Sequence, residues 1–277
     1  MATAPPPAPR SRYERKSALS AALLVLAAHL VPGAGHAESP TRPLETPISG
    51  IRFQPEAIQA LQRDNFANPG LLWMDQGRAL WHEPAGPAGH SCASCHGDDG
   101  QGIRDAAAGY PRYAAELGRL INVEQRINAC RTRHQQAEPL TYESDALLAL
   151  TTFVASLAAG TPVAVAIDGP ARSHFDAGRA YYYQRRGQLN LACHHCHDQN
   201  WGKMLRGDRI SQGHGNGYPA YRLEWQTLGS LHRRFRACNL AIRAEPLDAG
   251  DPRYVDLELF LAWRAAGLPL EAPAVRR

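Results

Sequence analysis

The residues best suited to chemistry are the cysteines, and four of the six fall in two copies of one pattern. Cys92-Ala93-Ser94-Cys95-His96 is the first and Cys193-His194-His195-Cys196-His197 is the second. Cysteines three apart on a helical turn face one side. Each pair can therefore form thioethers to the two vinyl groups of one haem. The adjoining histidine, His96 or His197, then lies under the iron as its proximal ligand. Cys-x-x-Cys-His is the attachment signal for c-type haem. A Cys-x-x-Cys pair can also be a redox dithiol or half of a zinc site. The dithiol wants a βαβ setting that the flanking sequence lacks, and zinc wants a second tight pair of ligands. Two copies in register point instead to two covalently bound haem c groups.

The ligand on the other face of a haem iron sets what the haem does. Beyond residue 37 the chain offers two methionines, Met74 and Met204. Met74 precedes the first motif, and Met204 follows His197 by seven residues, too few to wrap to the opposite face. Both read as packing residues. His134, His214 and His232 lie downstream of a motif, but none has a counterpart in the other half. Cys130 and Cys238 do correspond: each follows by 17 residues the second tyrosine of a repeated segment, Tyr113 or Tyr221. As axial ligands their thiolates would favour ferric iron and lower the haem potential. A Cys130–Cys238 disulfide is the competing reading, although equivalent positions in a repeat would sit over separate haems. Arg126 and Arg234 stand four residues before these cysteines, on the same helical face. Arg222, His232, Arg233, Arg236 and Arg243 add basic density around Cys238. They form either a solvated face or a pocket for a small anion, since guanidinium groups hold oxyanions through paired hydrogen bonds and positive charge depresses a cysteine pKa.

The elements that position these residues recur in the same order in each half. Gly109-Tyr110-Pro111-Arg112-Tyr113 matches Gly217-Tyr218-Pro219-Ala220-Tyr221, and Ala137-Glu138-Pro139-Leu140 matches Ala244-Glu245-Pro246-Leu247. Helical spacing of apolar residues predicts helices over 72–81 and 175–186, leading into the motifs, and over 145–157 and 255–263, closing each half. Pro162, Gly169 and Pro170 mark the joining segment. No stretch alternates with period two. The expected fold is all-α, with two tandem cytochrome c-like domains from an internal duplication, residues 50–165 and 166–277. Haem would supply core that a domain of about 110 residues otherwise lacks.

Residues 1–37 read as a cleavable signal peptide. Arg10, Arg12, Arg15 and Lys16 precede an apolar run, and Gly35-His36-Ala37 offers a cleavage site. That run is shorter than the roughly 20 residues a spanning helix needs, so the mature chain is expected to have no membrane span and to reside in the periplasm. A proline-rich lead-in follows, to about residue 50. The leader holds four basic residues and Glu14, hence +3 of the formal +4. The mature chain is near neutral, which gives no electrostatic case for nucleic-acid binding.

Residues 217–223, Gly229-Ser230-Leu231-His232-Arg233-Arg234-Phe235, Cys238 and Arg243-Ala244-Glu245-Pro246 together resemble the SoxA family, the diheme cytochrome subunits of the Sox thiosulfate-oxidising system. The resemblance runs from about residue 50 onward. It implies an L-cysteine S-thiosulfotransferase that joins thiosulfate oxidatively to a cysteine of the SoxY carrier, itself paired with SoxZ. It implies a SoxX cytochrome partner and a cytochrome c electron acceptor. It further implies that the second haem is the active one. Cys238 would be its axial ligand and persulfide carrier, Arg234 would bind substrate, and Cys130 would be the axial ligand of the first haem.

The residues alone leave other readings. A non-enzymatic diheme electron carrier would want methionine or histidine as sixth ligands. A diheme peroxidase would want an open haem site and distal acid–base groups. A haem-bearing interaction module would use the arginines for docking.

Overall fold

The computed structural model describes Leu44 and residues 46–277; the expected leader lies outside the described residues. The α-helices are α1 Glu56–Arg63, α2 Gly70–His82, α3 Cys92–His96, α4 Val123–Cys130, α5 Asp145–Ser156, α6 Arg172–Tyr183, α7 Cys193–His197, α8 Leu231–Ala241 and α9 Pro252–Arg264. Several start where a side chain satisfies a free backbone N–H. Gln125 N–H donates to Asn122 at 3.1 Å ahead of α4, and Arg233 N–H donates to Ser230 at 3.2 Å ahead of α8. Asp251 caps α9, with Pro252 in its first turn.

Two helix pairs hold the two motif helices in place. Helix α2 packs on α5, and α6 on α9. Each crossing depends on a glycine. A Cβ on Gly77 would collide with the Ala149 carbonyl, and one on Gly178 with the Asp256 carbonyl. Around the first pair Trp81, Ala107, Ala108, Phe153, Val154 and Ala158 form a core, with Cys92 packed against it. Around the second, Phe175, Tyr182, Phe235, Tyr254, Leu257, Phe260 and Trp263 do so, with Cys193 packed against them. The four helices foreseen at these places are present, with ends shifted by a few residues.

The expectation of an all-α fold needs correction. Short strands are present: β1 Arg112–Ala114, β2 Arg119–Ile121, β3 Met204–Leu205, β4 Asp208–Arg209, β5 Ala220–Arg222, β6 Thr227–Gly229 and β7 Ala274–Arg276. Strands of two or three residues are too short to display alternation, which is why the sequence pattern missed them. Hairpins β1–β2 and β5–β6 share one register: Arg112 pairs Ile121 and Ala114 pairs Arg119, while Ala220 pairs Gly229 and Arg222 pairs Thr227. Strand β7 adds to β5 in parallel, so β5 is the middle strand of three.

The described residues belong to one compact unit. Residues 160–163 hydrogen-bond to 267–270. The segment from Ile48 to Asn68 also runs onto later residues. Ile48 N–H donates to Gln212, Asn68 to the Pro273 carbonyl, and Val275 N–H to Gln62.

A single π-helical turn, Arg131–Gln135, continues α4 beyond Cys130. The left-handed Gln136 lies six positions after Cys130, whereas the left-handed Arg243 lies five positions after Cys238. A π-turn absorbs one extra residue in a helix, and this one accounts for the difference.

Candidate active site around Cys238

Helix α7 presents Cys193, Cys196 and His197 on one turn, and α8 brings Cys238 over them. His197 Nδ1 lies 2.8 Å from the Ser211 carbonyl. Nδ1 therefore carries the proton and donates it there, which leaves Nε2 as the free ligand atom. The His197 side chain is within hydrogen-bonding reach of the Cys238 thiol. The loop beyond β4 comes close beneath the ring: a Cβ on Gly213, whose φ is +76°, would lie 2.7 Å from His197 Cγ. Behind the motif, Asp198 accepts from Tyr182 at 2.8 Å and pairs with the buried Arg264 at 2.7 Å. Trp81 serves likewise in the first half, donating to the Gly97 carbonyl at 3.0 Å.

None of the six cysteines is joined to another in a disulfide. The Cys130–Cys238 bridge that the sequence left open is therefore absent. Each lone cysteine lies instead beside its own motif. Burial raises Cys193, to about 11, and Cys196, and in both Cys238 adds to the rise. Burial raises Cys92, with Cys130 adding to it, and Cys130 in turn feels Cys95.

The two lone cysteines differ in their electrostatics. Burial pushes the Cys130 thiol up, and Arg126 offsets only part of that. Burial pushes Cys238 up as well, but Arg234, His197 and Arg222 outweigh it and bring the thiol down to about 7. Thiolate is the nucleophile and the metal ligand. The protein itself makes that form accessible at Cys238.

Two arginines and a carboxylate complete the site. Arg222 Nε lies 2.8 Å from Glu224 Oε1, and Arg234 Nη1 lies 3.6 Å from the same oxygen. Arg222 is 7% exposed and also reaches the Tyr218 hydroxyl at 3.4 Å. The broader basic cluster foreseen around Cys238 does not assemble. Arg233 stacks over Trp225 at 4.5 Å, and Arg236 turns to the Leu247 carbonyl and Asp248. His232 is buried among Tyr142, Phe235 and Tyr254. Arg243 takes a left-handed turn after α8, and its carbonyl accepts from Gln188.

Met74 packs against the first core, and Met204 is exposed on β3. His134 is exposed, whereas His214 is buried beside Gln212, and that burial pulls it down to about 3. Sequence reasoning missed Glu224 and Tyr218. Both were discoverable, because Glu116 and Tyr110 stand at the same distances before Cys130, 14 and 20 residues, as Glu224 and Tyr218 do before Cys238.

The donor set fits a covalently attached haem. Paired thiols, an imidazole and a facing thiol are grouped in each case on helices beside an apolar core; in the second half the imidazole tautomer is fixed by the Ser211 carbonyl and the Gly213 loop closes on the ring. Comparison with known proteins agrees. Residues 76–163 match the family model described as the SoxA/TsdA cytochrome c domain, so haem c is the cofactor. The chain is 43% identical to the L-cysteine S-thiosulfotransferase subunit SoxA of Rhodovulum sulfidophilum over 82% of its own length and 79% of that protein. It is 39% identical to the same subunit of Pseudaminobacter salicylatoxidans, covering 85% and 82%. The crystal structure of SoxXA from P. pantotrophus superposes with a TM-score of 0.81 at 36% identity, covering 85% of this chain and 89% of that one. A lone cysteine set over each haem motif by its own helix, in a chain so similar throughout to these subunits, leads to one assignment: the chain belongs to the SoxA family.

Proposed function

We propose that this chain is the catalytic subunit of an L-cysteine S-thiosulfotransferase, joining thiosulfate to a cysteine of the SoxY carrier in its pairing with SoxZ. The observation that carries the reading is the placement of Cys238, set over the Cys193–His197 motif within hydrogen-bonding reach of His197 and beside Arg234 and Arg222. Two haem c groups would be held, one by Cys92, Cys95, His96 and Cys130, the other by Cys193, Cys196, His197 and Cys238. The two halves, 50–165 and 166–277, derive from one duplicated unit. Their matching glycine crossings and hairpin registers support that origin. The likeness to SoxXA supports a SoxX partner, and residues 1–37 support export to the periplasm. No described helix is long and apolar enough to cross a membrane.

In the reaction, a carrier thiol and the terminal sulfur of thiosulfate form one sulfur–sulfur bond. One proton and two electrons leave. Bound haem would supply a one-electron acceptor for them, with a cytochrome c as the final acceptor. Arg234 holds the sulfonate oxygens through charge-assisted hydrogen bonds. This orients the terminal sulfur toward Cys238. Their sulfur–sulfur bond forms as the two electrons leave, giving Cys238–S–S–SO3−, a sulfonated persulfide; the carrier thiolate then attacks its outer sulfur and displaces the Cys238 thiolate, so the sulfonate stays with the carrier.

The test is Cys238→Ala in the complex with the partner cytochrome, with carrier protein and thiosulfate supplied. We expect both haems to stay attached and thiosulfate-dependent cytochrome reduction to fall by about 1000-fold or more. Turnover at the wild-type rate would leave the chain an electron carrier.

A further inference from the structure

The first half holds a nearly complete copy of the Cys238 site. Cys130, Arg126, Glu116 and Tyr110 occupy the places of Cys238, Arg234, Glu224 and Tyr218 at identical spacings. In the first half Arg126 Nη2 lies 2.8 Å from Glu116 Oε1, and Arg126 Nε donates to Tyr110 at 3.1 Å. The guanidinium is committed to its own carboxylate. In the second half the carboxylate belongs to another residue. Glu224 sits 2.8 Å from Arg222, and Arg234 stands off at 3.6 Å. The counterpart of Arg222, 16 residues before Cys130, is Ala114. Both occupy the last position of the first strand in congruent hairpins, pairing Thr227 and Arg119 respectively.

We infer that Arg222 is a positioning residue that occupies Glu224, so that the Arg234 guanidinium is released to bind the sulfonate group of thiosulfate, and that Ala114 leaves the first site unable to do so. Among the matched residues alone, the charges agree with the distances. Arg126 and Glu116 cancel, whereas Arg222, Arg234 and Glu224 leave one positive charge beside Cys238. A dianion entering the first site would meet a neutral, closed ion pair. In the second it meets a partly exposed guanidinium with unused donors. Tyr218 and Trp225 hold Arg222 from its other sides, at 3.4 Å to the hydroxyl and 5.1 Å from the indole centroid. Its near-complete burial suits it to hold a carboxylate rather than to meet a ligand arriving from solvent. The inference rests on the thiosulfate reading above and adds to it the residue that makes one of two like sites selective.

The test uses the haem-loaded complex with its partner cytochrome, titrated with thiosulfate in the absence of carrier protein, with steady-state KM and kcat measured alongside. Haem content and absorption spectra are recorded for every variant. Arg222→Ala should weaken thiosulfate binding about 10- to 100-fold, because Glu224 then closes on Arg234 as Glu116 does on Arg126. KM should carry the loss more than kcat. The double variant Arg222→Ala with Glu224→Gln should return to within about threefold of wild type, since no carboxylate then competes for Arg234. Glu224→Gln alone leaves the buried arginine in place, guards against misfolding of the alanine variant, and should bind thiosulfate at least as tightly as wild type. Unchanged binding in Arg222→Ala would overturn the inference. So would a double variant as weak as the single one, or a tenfold loss in Glu224→Gln alone. A wild-type complex that binds no thiosulfate would sink the functional reading itself, an outcome distinct from these.

Discussion

Gly213 brings its backbone under the His197 ring at a distance that leaves no room for a methyl group. Alanine there would also have to hold a left-handed φ, which costs about 1 kcal/mol. Gly213→Ala should therefore displace the ring from the position in which the Ser211 carbonyl fixes its tautomer. We expect haem to fall from about two toward about one per chain, since an outer partner that orients a histidine ligand tunes its affinity. Haem stoichiometry by absorption, with peptide mapping of the two motifs, checks this. At this scale much of the site is legible in the sequence. The motif cysteines, His96, His197, Cys130, Cys238 and Arg234 are marked by spacing or repetition. Glu224 is marked only by its repeat partner Glu116, since an acidic residue in a short turn carries no local signal, and its meaning comes from which arginine it faces. Arg222 was visible as one basic residue among several, and only three-dimensional placement separates it from Arg233 and Arg236.

The four helices that flank the motifs, α2, α5, α6 and α9, were legible because each has an apolar face long enough to show periodicity. What periodicity could not show is why α2 and α6 each contain a glycine mid-helix, where glycine is ordinarily unfavourable. The crossings explain it: Gly77 lies against the Ala149 carbonyl and Gly178 against the Asp256 carbonyl. Gly178→Ala should force α6 and α9 apart. The expected cost is about 1–3 kcal/mol, the range for overpacking a tight interior, despite alanine's better helix propensity. Denaturant unfolding of the haem-loaded protein measures it. A stabilised variant would mean that the crossing is looser than these distances state. The π-turn after Cys130 was illegible for another reason: one inserted residue leaves composition and hydrophobic pattern unchanged.

Across the whole molecule, the residues between the halves make a buried polar cluster that no pattern announced. Asn122 donates to the Tyr142 hydroxyl at 2.5 Å and to Glu258 at 3.0 Å, and His232 Nε2 lies 3.4 Å from Glu258. Burial, with Glu258 adding to it, pushes the Glu124 carboxyl up to about 8. Burial pulls His232 down, but Glu258, Glu124 and Glu143 outweigh it and leave His232 raised. For both groups the folded pKa exceeds the unfolded one. Their contribution to stability is thus complete below the unfolded values and is lost as pH rises through the folded ones. For Glu124 that window runs from about 4.5 to about 8. Glu124→Gln should therefore melt about 2–4 °C above wild type at pH 9 and show no such gain at pH 5. Thermal melts at the two pH values decide it, and a gain confined to acid would contradict the sign.

Strand β5, which carries Arg222, is held on both flanks, by β6 and by β7, whereas β1, its counterpart in the first half, pairs among the described residues with β2 alone. In terms of motion, the two halves are unequally braced. A strand tied on both sides fluctuates little, so the carboxylate lock on Glu224 is set before any ligand arrives and need not be rebuilt on each encounter. The hairpin of the first half lacks that second brace. Bracing, as well as charge, separates the two otherwise similar sites.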